Sequence, residues 1–120
     1  MPARNFKDYD VWNDGRALVK EVYELTRTFP SIERRGLIDQ LQRAAVSIPS
    51  NIAEGSARSN SDFARFLEIS LGSSFEVQTQ LILSCDLGYI DEETLNGVEK
   101  KVQSISKQLS NLITYLKKKP

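Results

Sequence analysis

Histidine is absent from this chain of 120 residues. That removes the side chain most used as a general base near neutral pH, the usual partner of a nucleophilic serine, and the commonest transition-metal ligand. Cysteine occurs once, as Cys85. A single thiol cannot close an intrachain disulfide, and without histidine a structural zinc site is close to excluded. In its setting, "LILSCDLGY", Cys85 reads as a small buried hydrophobe of a reducing compartment. No apolar run approaches the roughly 20 residues that cross a bilayer. The start, "MPARNFKDYD", lacks the apolar core of a secretory signal. These absences favour a cytoplasmic protein. There is no glycine-rich phosphate loop either, so no cofactor and no catalytic residue is expected.

Excess charge is missing too. The 16 basic residues balance 16 acidic ones, whereas a protein that lives on nucleic acid shows a clear basic surplus. The balance is local as well as global only in part. Residues 59–90 carry one Arg against four acids, and residues 91–120 carry six Lys against four acids, three of the lysines being Lys117, Lys118 and Lys119.

What is present is helical patterning. Hydrophobic residues make up 40% and charged residues 27%, an ordinary globular mix for one domain spanning 1–120. Four helical segments are legible and no convincing strand. The first covers about Val11–Arg27, with Leu18, Val22, Leu25 and Phe29 at helical spacing and Asp8 or Asp10 as candidate cap. Gly15 is a mild fault inside it. The second covers about Leu37–Glu54, with Leu37, Leu41, Ala44, Ala45, Ile48 and Ile52 on one face. Pro49 is expected to kink it, and Gly55 stands where a left-handed C-terminal cap residue belongs. The third covers about Ser61–Leu87, opened by Ser59–Asp62 capping chemistry or by Asn60 as cap, and closed by Gly88. The fourth covers Glu92 to about Lys117, capped by Asp91. Its apolar residues Leu95, Val98, Val102, Ile105, Leu109, Leu112 and Leu116 alternate steps of three and four, the spacing of a bundle seam. Short links between long amphipathic helices predict an all-α, antiparallel up-and-down four-helix bundle.

The third segment is unusually apolar. Phe63, Phe66, Leu67, Val77 and Leu81 make one stripe, Leu71, Phe75 and Ile82 lie beside it, and Ile69, Leu83 and Leu87 fall on the remaining side around Glu76. The stripe is wider than one bundle requires. Either this is simply the central helix of its own bundle, or it also lines a contact between copies; the second reading predicts a homo-oligomer.

The stretch "SIPSNIAEG" at 47–55 carries the candidate site. On an ideal helix Gln40, Arg43, Ser47, Ser50, Asn51 and Glu54 share one polar face. Three readings stand: a solvated face, a buried polar network that registers helices or subunits and includes Glu76, or a ligand or acid–base site.

The run "QLQRAAVSIPSNIAEGSAR", followed by "FARFLEISLGSSFEVQTQLILSCDLGYI", resembles the bacterial four-helix bundle family that includes proteins encoded in intervening sequences of 23S ribosomal RNA genes. Related to it are the accessory variability proteins of diversity-generating retroelements. The likeness extends from "DVW" through "FP" at 29–30 to the final helix. It implies a four-helix protomer that assembles as a ring-like homopentamer. It also implies that Arg43, Ser47, Pro49, Asn51, Glu54 and Gly55 match the family's signature helix, and Ser73 and Glu76 its third-helix motif, which favours a polar network. The retroelement members look like basic pentamers that bind a reverse transcriptase and nucleic acid; the neutral balance here departs from them. The expectation is a non-enzymatic adaptor or scaffold for a protein or ribonucleoprotein partner. The alternatives are a nucleic-acid-binding accessory protein of a reverse transcriptase and a purely structural interaction module. Candidate phosphate contacts are Arg34, Arg35, Arg58, Arg65 and the terminal Lys117, Lys118 and Lys119.

Overall fold

Four helices follow one another in chain order: α1 (Asp10–Thr26), α2 (Leu37–Ser56), α3 (Asn60–Asp86) and α4 (Glu92–Lys117). The structure, a computed structural model, describes residues 4–118, among which there is no strand. Lys119, one of the candidate phosphate contacts, lies outside the described residues. Two single-turn 3-10 helices, Phe6–Asp8 and Ser31–Glu33, precede α1 and α2. The molecule measures 49 × 22 × 19 Å.

Side-chain bonds fix how the helices pair. Ser70 donates to the Ile48 carbonyl and Ser73 to Ser47, which joins α2 to α3. Ser74 pairs with Ser106, and Gln78 donates to Glu99, which joins α3 to α4. Gln42 donates to Thr26 between α1 and α2, and Lys101 binds Glu21 between α1 and α4. Gly15 also lies against Ile48 and Pro49, and Gln108 donates to Asp14, so in each pairing residue numbers rise along one helix as they fall along the other, and neighbouring helices run in opposite senses. Leu18, Val22, Leu41, Ile48, Ile52, Phe63, Leu67, Val77, Leu81, Val102, Ile105 and Leu109 are essentially buried along the shared axis. Fully burying one such side chain contributes about 1.5–3 kcal/mol.

The helix ends follow from local chemistry. Ser59 Oγ accepts from the Asp62 N–H, and Asp91 Oδ1 accepts from the Thr94 N–H, so α3 and α4 start on side-chain caps. Gly88, at φ 80°, lets α3 close as a Schellman turn: Tyr89 N–H donates to the Ser84 carbonyl and Gly88 N–H to that of Cys85. In α4, Ile113 rather than Leu112 is buried near the C-terminal end, because the inward row runs Leu109, Ile113, Leu116.

Three expectations are corrected. The cap position of α1 belongs to Tyr9, with no side-chain bond, and Asp10 is already the first helical residue. Gly55 is not a left-handed cap: α2 continues to Ser56, and Gly88 is the glycine with positive φ among the described residues. Gly55 is needed for space instead. A Cβ there would lie 2.6 Å from Phe66 Cβ and 2.9 Å from Phe63 Cδ1, so its missing side chain is what brings α2 and α3 together. Gly15 is likewise a contact point and not a fault. It is buried, and a Cβ on it would meet Ile48 Cγ2 at 3.3 Å and Pro49 Cδ at 3.5 Å. Pro49, where a kink is expected, lies inside helical structure that continues on both sides of it. Side-chain donors serve carbonyls of the same stretch, Asn51 Nδ2 to Ser47 and Ser70 Oγ to Ile48.

Candidate functional site

Of the signature residues of α2, Arg43, Ser47, Asn51 and Glu54 lie on the flank toward α3, but only part of them form a network. Asn51 Nδ2 donates both to the Ser47 carbonyl at 2.8 Å and to Ser47 Oγ at 2.9 Å, and Ser73 Oγ donates to Ser47 Oγ at 2.9 Å. Ser73 is buried, while Ser47 and Asn51 are half-buried. The chain of bonds ties one turn of α2 to one turn of α3 just outside the apolar core. Ser70 adds a fully buried bond one turn inward.

Arg43 is not part of that chain. It forms an exposed pair with Asp39, its neighbour four residues back, at 3.0 Å. The side chains of Glu54 and Glu76 are exposed and form no hydrogen bond or ion pair with a described residue. The predicted six-residue set therefore divides into an inner trio, Ser47, Asn51 and Ser73, and an outer trio of charges, Arg43, Glu54 and Glu76, displayed on the same α2–α3 surface.

That surface is continuous with apolar side chains. Along α3, Ile69, Leu83 and Leu87 remain 51%, 45% and 57% exposed. They lie in one row with Ser73, Glu76 and Gln80, at alternating steps of four and three. On the opposite flank of α3, toward α4, Phe75 and Ile82 are 53% and 40% exposed. At about 100° per residue, the mean directions of these two apolar groups differ by roughly 115°. Large exposed aliphatic and aromatic side chains in two organised strips are more than the scattered singles of an ordinary surface.

The candidate phosphate contacts are not one patch. Arg34 and Arg35 lie in the connection between α1 and α2, where Glu33 Oε2 accepts from the Tyr89 hydroxyl of the α3–α4 connection. Arg58, Arg65, Lys117 and Lys118 lie at the other end of the bundle. There Arg4 reaches the carbonyls of Ser56 and Arg58 and the side chain of Asn60, and its guanidinium stacks over Phe63. Arg58 stacks over Phe66, Arg65 pairs with Asp62 at 3.6 Å, and Lys117 pairs with Glu68 at 3.7 Å. About 30 Å of α2 separates the two basic groups.

Sequence reasoning missed several positioning residues. Glu33 receives the Leu37 N–H at 3.1 Å and the Tyr89 hydroxyl at 2.8 Å. The Leu37 bond first, then Tyr89, hold its carboxyl below the usual glutamate range. The same bond to Glu33 pushes the Tyr89 hydroxyl up. Gln80 was also missed, although its position continues the row Ile69, Ser73, Glu76 toward Leu83; nothing in the spacing distinguishes its side chain from an ordinary polar one. It is 95% buried by its 5% exposure, and its Oε1 lacks a hydrogen-bond partner. A separate groove of about 610 Å³ lies between α1 and α4. Its facing charges neutralise one another, with Glu21 bound to Lys101.

Among the described residues no helix is long and apolar enough to cross a membrane. Comparison with known proteins gives two findings. A family model described as "23S rRNA-intervening sequence protein" matches residues 7–111. A solved structure, at 1.70 Å, of a protein of unknown function from the S23 ribosomal protein family of Bacteroides thetaiotaomicron matches with a TM-score of 0.78 and 25% identity, covering 86% of this chain and 97% of that one. Among curated proteins no significant match is found. Neither match points to a catalytic family.

Proposed function

The chain belongs to the 23S rRNA-intervening sequence protein family, and from that footing we propose that it works as a non-enzymatic ring of identical four-helix bundles, an adaptor or scaffold for a protein or ribonucleoprotein partner in the cytoplasm. The observation that carries the reading is the pair of apolar strips on α3. One strip, Ile69–Leu83–Leu87, adjoins α2; the other, Phe75–Ile82, adjoins α4. A two-fold dimer uses one self-complementary patch, whereas two different patches on one subunit build head-to-tail contacts that close into rings. Closed rings of four, five or six subunits set their two contact directions about 90°, 108° or 120° apart. With α3 parallel to the ring axis, the roughly 115° between the strips suits this range, and five copies, the number the family resemblance implies, fall within it. In such a ring Glu54 and Glu76 stand at the contact between copies, where their lack of partners within the protomer is met by a neighbour.

The division of the described candidate phosphate contacts between two ends of the protomer supports a protein-facing adaptor over an accessory protein that wraps nucleic acid, because these residues do not make one patch. The test is mass in solution, followed by capture of partners with and without nuclease. A partner protein retained after nuclease treatment supports the adaptor. Binding of RNA or DNA that weakens steeply with salt favours the nucleic-acid reading instead.

A further inference from the structure

We propose that Gln80 is the register key of the contact between copies: its buried side-chain carbonyl takes a hydrogen bond from a donor on the neighbouring copy, and this selects one alignment and one number of subunits. The inference rests on the ring reading above and names the group that makes the ring specific.

Gln80 sits midway along the row of α3 that includes Ile69, Ser73, Glu76, Leu83 and Leu87, in which Ser73 and Gln80 are buried and the others exposed. The row advances by four and three residues, the spacing of a coiled-coil seam. Its ends are apolar and its middle is polar. Within the protomer Gln80 is 5% exposed. Its Nε2 reaches Gln40 Oε1 across 3.4 Å, a long bond, and its Oε1 accepts nothing. Buried amide oxygens are satisfied in the great majority of protein interiors, so an orphan calls for a partner from outside the protomer's own groups. Gln40, the side chain that meets it, is exposed on α2. The Gln80 carbonyl is enclosed within the single protomer, so the proposed bond requires Gln40 to turn aside as the neighbour docks.

The chemistry explains why the position is polar at all. A glutamine that only filled space between α2 and α3 would be matched or improved by an apolar side chain of similar volume. One polar residue in an otherwise apolar helical seam instead penalises every alignment that leaves it unpaired, and so fixes stoichiometry and register at some cost in stability.

The experiment compares wild-type protein with Gln80→Met, which keeps length and volume and removes the amide. Absolute mass is read by light scattering and native mass spectrometry, and helix content by circular dichroism. Wild type is expected at one multiple of the protomer mass, and Gln80→Met at two or more multiples with helix content unchanged. A Gln80→Met protein with the same single mass as wild type would overturn the proposal while leaving the ring intact. A wild-type protein that stays a single copy would overturn the ring itself, and this inference with it. Gln40→Ala is the second variant, and it is expected to keep the wild-type mass because the donor that matters comes from the neighbour. A spread of masses for Gln40→Ala would contradict the proposal.

Discussion

The Cα of Gly55 faces Phe66 so closely that a methyl group on Gly55 would sit 2.6 Å from the Phe66 Cβ. The obstacle is the root of a side chain, not its flexible tip, so relief requires α2 and α3 to separate. Gly55→Ala is therefore expected to destabilise the protomer by about 1–3 kcal/mol through overpacking, against a helix-propensity gain of about 1 kcal/mol. Gly97→Ala is the control. Nothing lies within 4 Å of a Cβ there, and the change should stabilise by about 0.5–1 kcal/mol. Urea denaturation of both variants measures the contrast; Gly55→Ala as stable as Gly97→Ala would contradict the packing account.

Ser70 offers a second test of the same contact. Its hydroxyl is fully buried and donates to the Ile48 carbonyl at 2.9 Å. Ser70→Ala is expected to lose about 0.5–1.5 kcal/mol. Ser70→Val removes the donor and adds bulk, and should lose more. Both effects are read from shifts in the urea midpoint with the slope unchanged.

The outer charges should behave differently. Arg43 makes an exposed pair with Asp39, of a kind worth about 0.3–0.5 kcal/mol, and Glu54 and Glu76 are exposed. Substituting Arg43, Glu54 or Glu76 by Ala is expected to change protomer stability by no more than about 0.5 kcal/mol. The same changes should alter the mass distribution in solution. A large loss of folding stability with unchanged mass would place these charges in the protomer's own support.

The Glu33–Tyr89 latch makes stability depend on pH at both extremes. The Glu33 carboxyl is lowered in the folded state by the Leu37 N–H and then Tyr89. Its contribution is present above the ordinary glutamate range and is lost as pH falls through the lowered folded value. The Tyr89 hydroxyl is raised in the folded state by its bond to Glu33. That contribution is present below the ordinary tyrosine range and is lost as pH climbs through the raised folded value. Thermal melting against pH should show a plateau between these ranges. Glu33→Gln is expected to flatten the acid limb, and Tyr89→Phe the alkaline limb.

The helices were legible in the sequence because each carries a long apolar period bounded by recognisable chemistry: Ser59 and Asp91 at the starts, Gly88 at a stop. The surplus apolar surface of α3 was legible for the same reason, since Ile69, Phe75, Leu83 and Leu87 fall outside any single stripe. Gly55 was misread because a buried glycine near a helix end and a capping glycine leave the same one-letter trace; only the position of Phe66 distinguishes them. The polar set was half legible. Helical spacing places Arg43, Ser47, Asn51 and Glu54 together, but it cannot say that Asp39 claims Arg43 or that Ser73 reaches Ser47 from another helix. Gln80 went unseen because polar side chains among apolar ones carry no period of their own.

The central claim is that α3 has more apolar surface than one bundle covers, so copies share it. Absolute mass by light scattering, at several concentrations, tests it most directly. The account predicts a closed species of several protomers, about 68 kDa for five copies of 13.6 kDa each, which Leu83→Glu or Phe75→Glu breaks into single, folded chains. A wild-type particle of 13.6 kDa that persists at high concentration would contradict it.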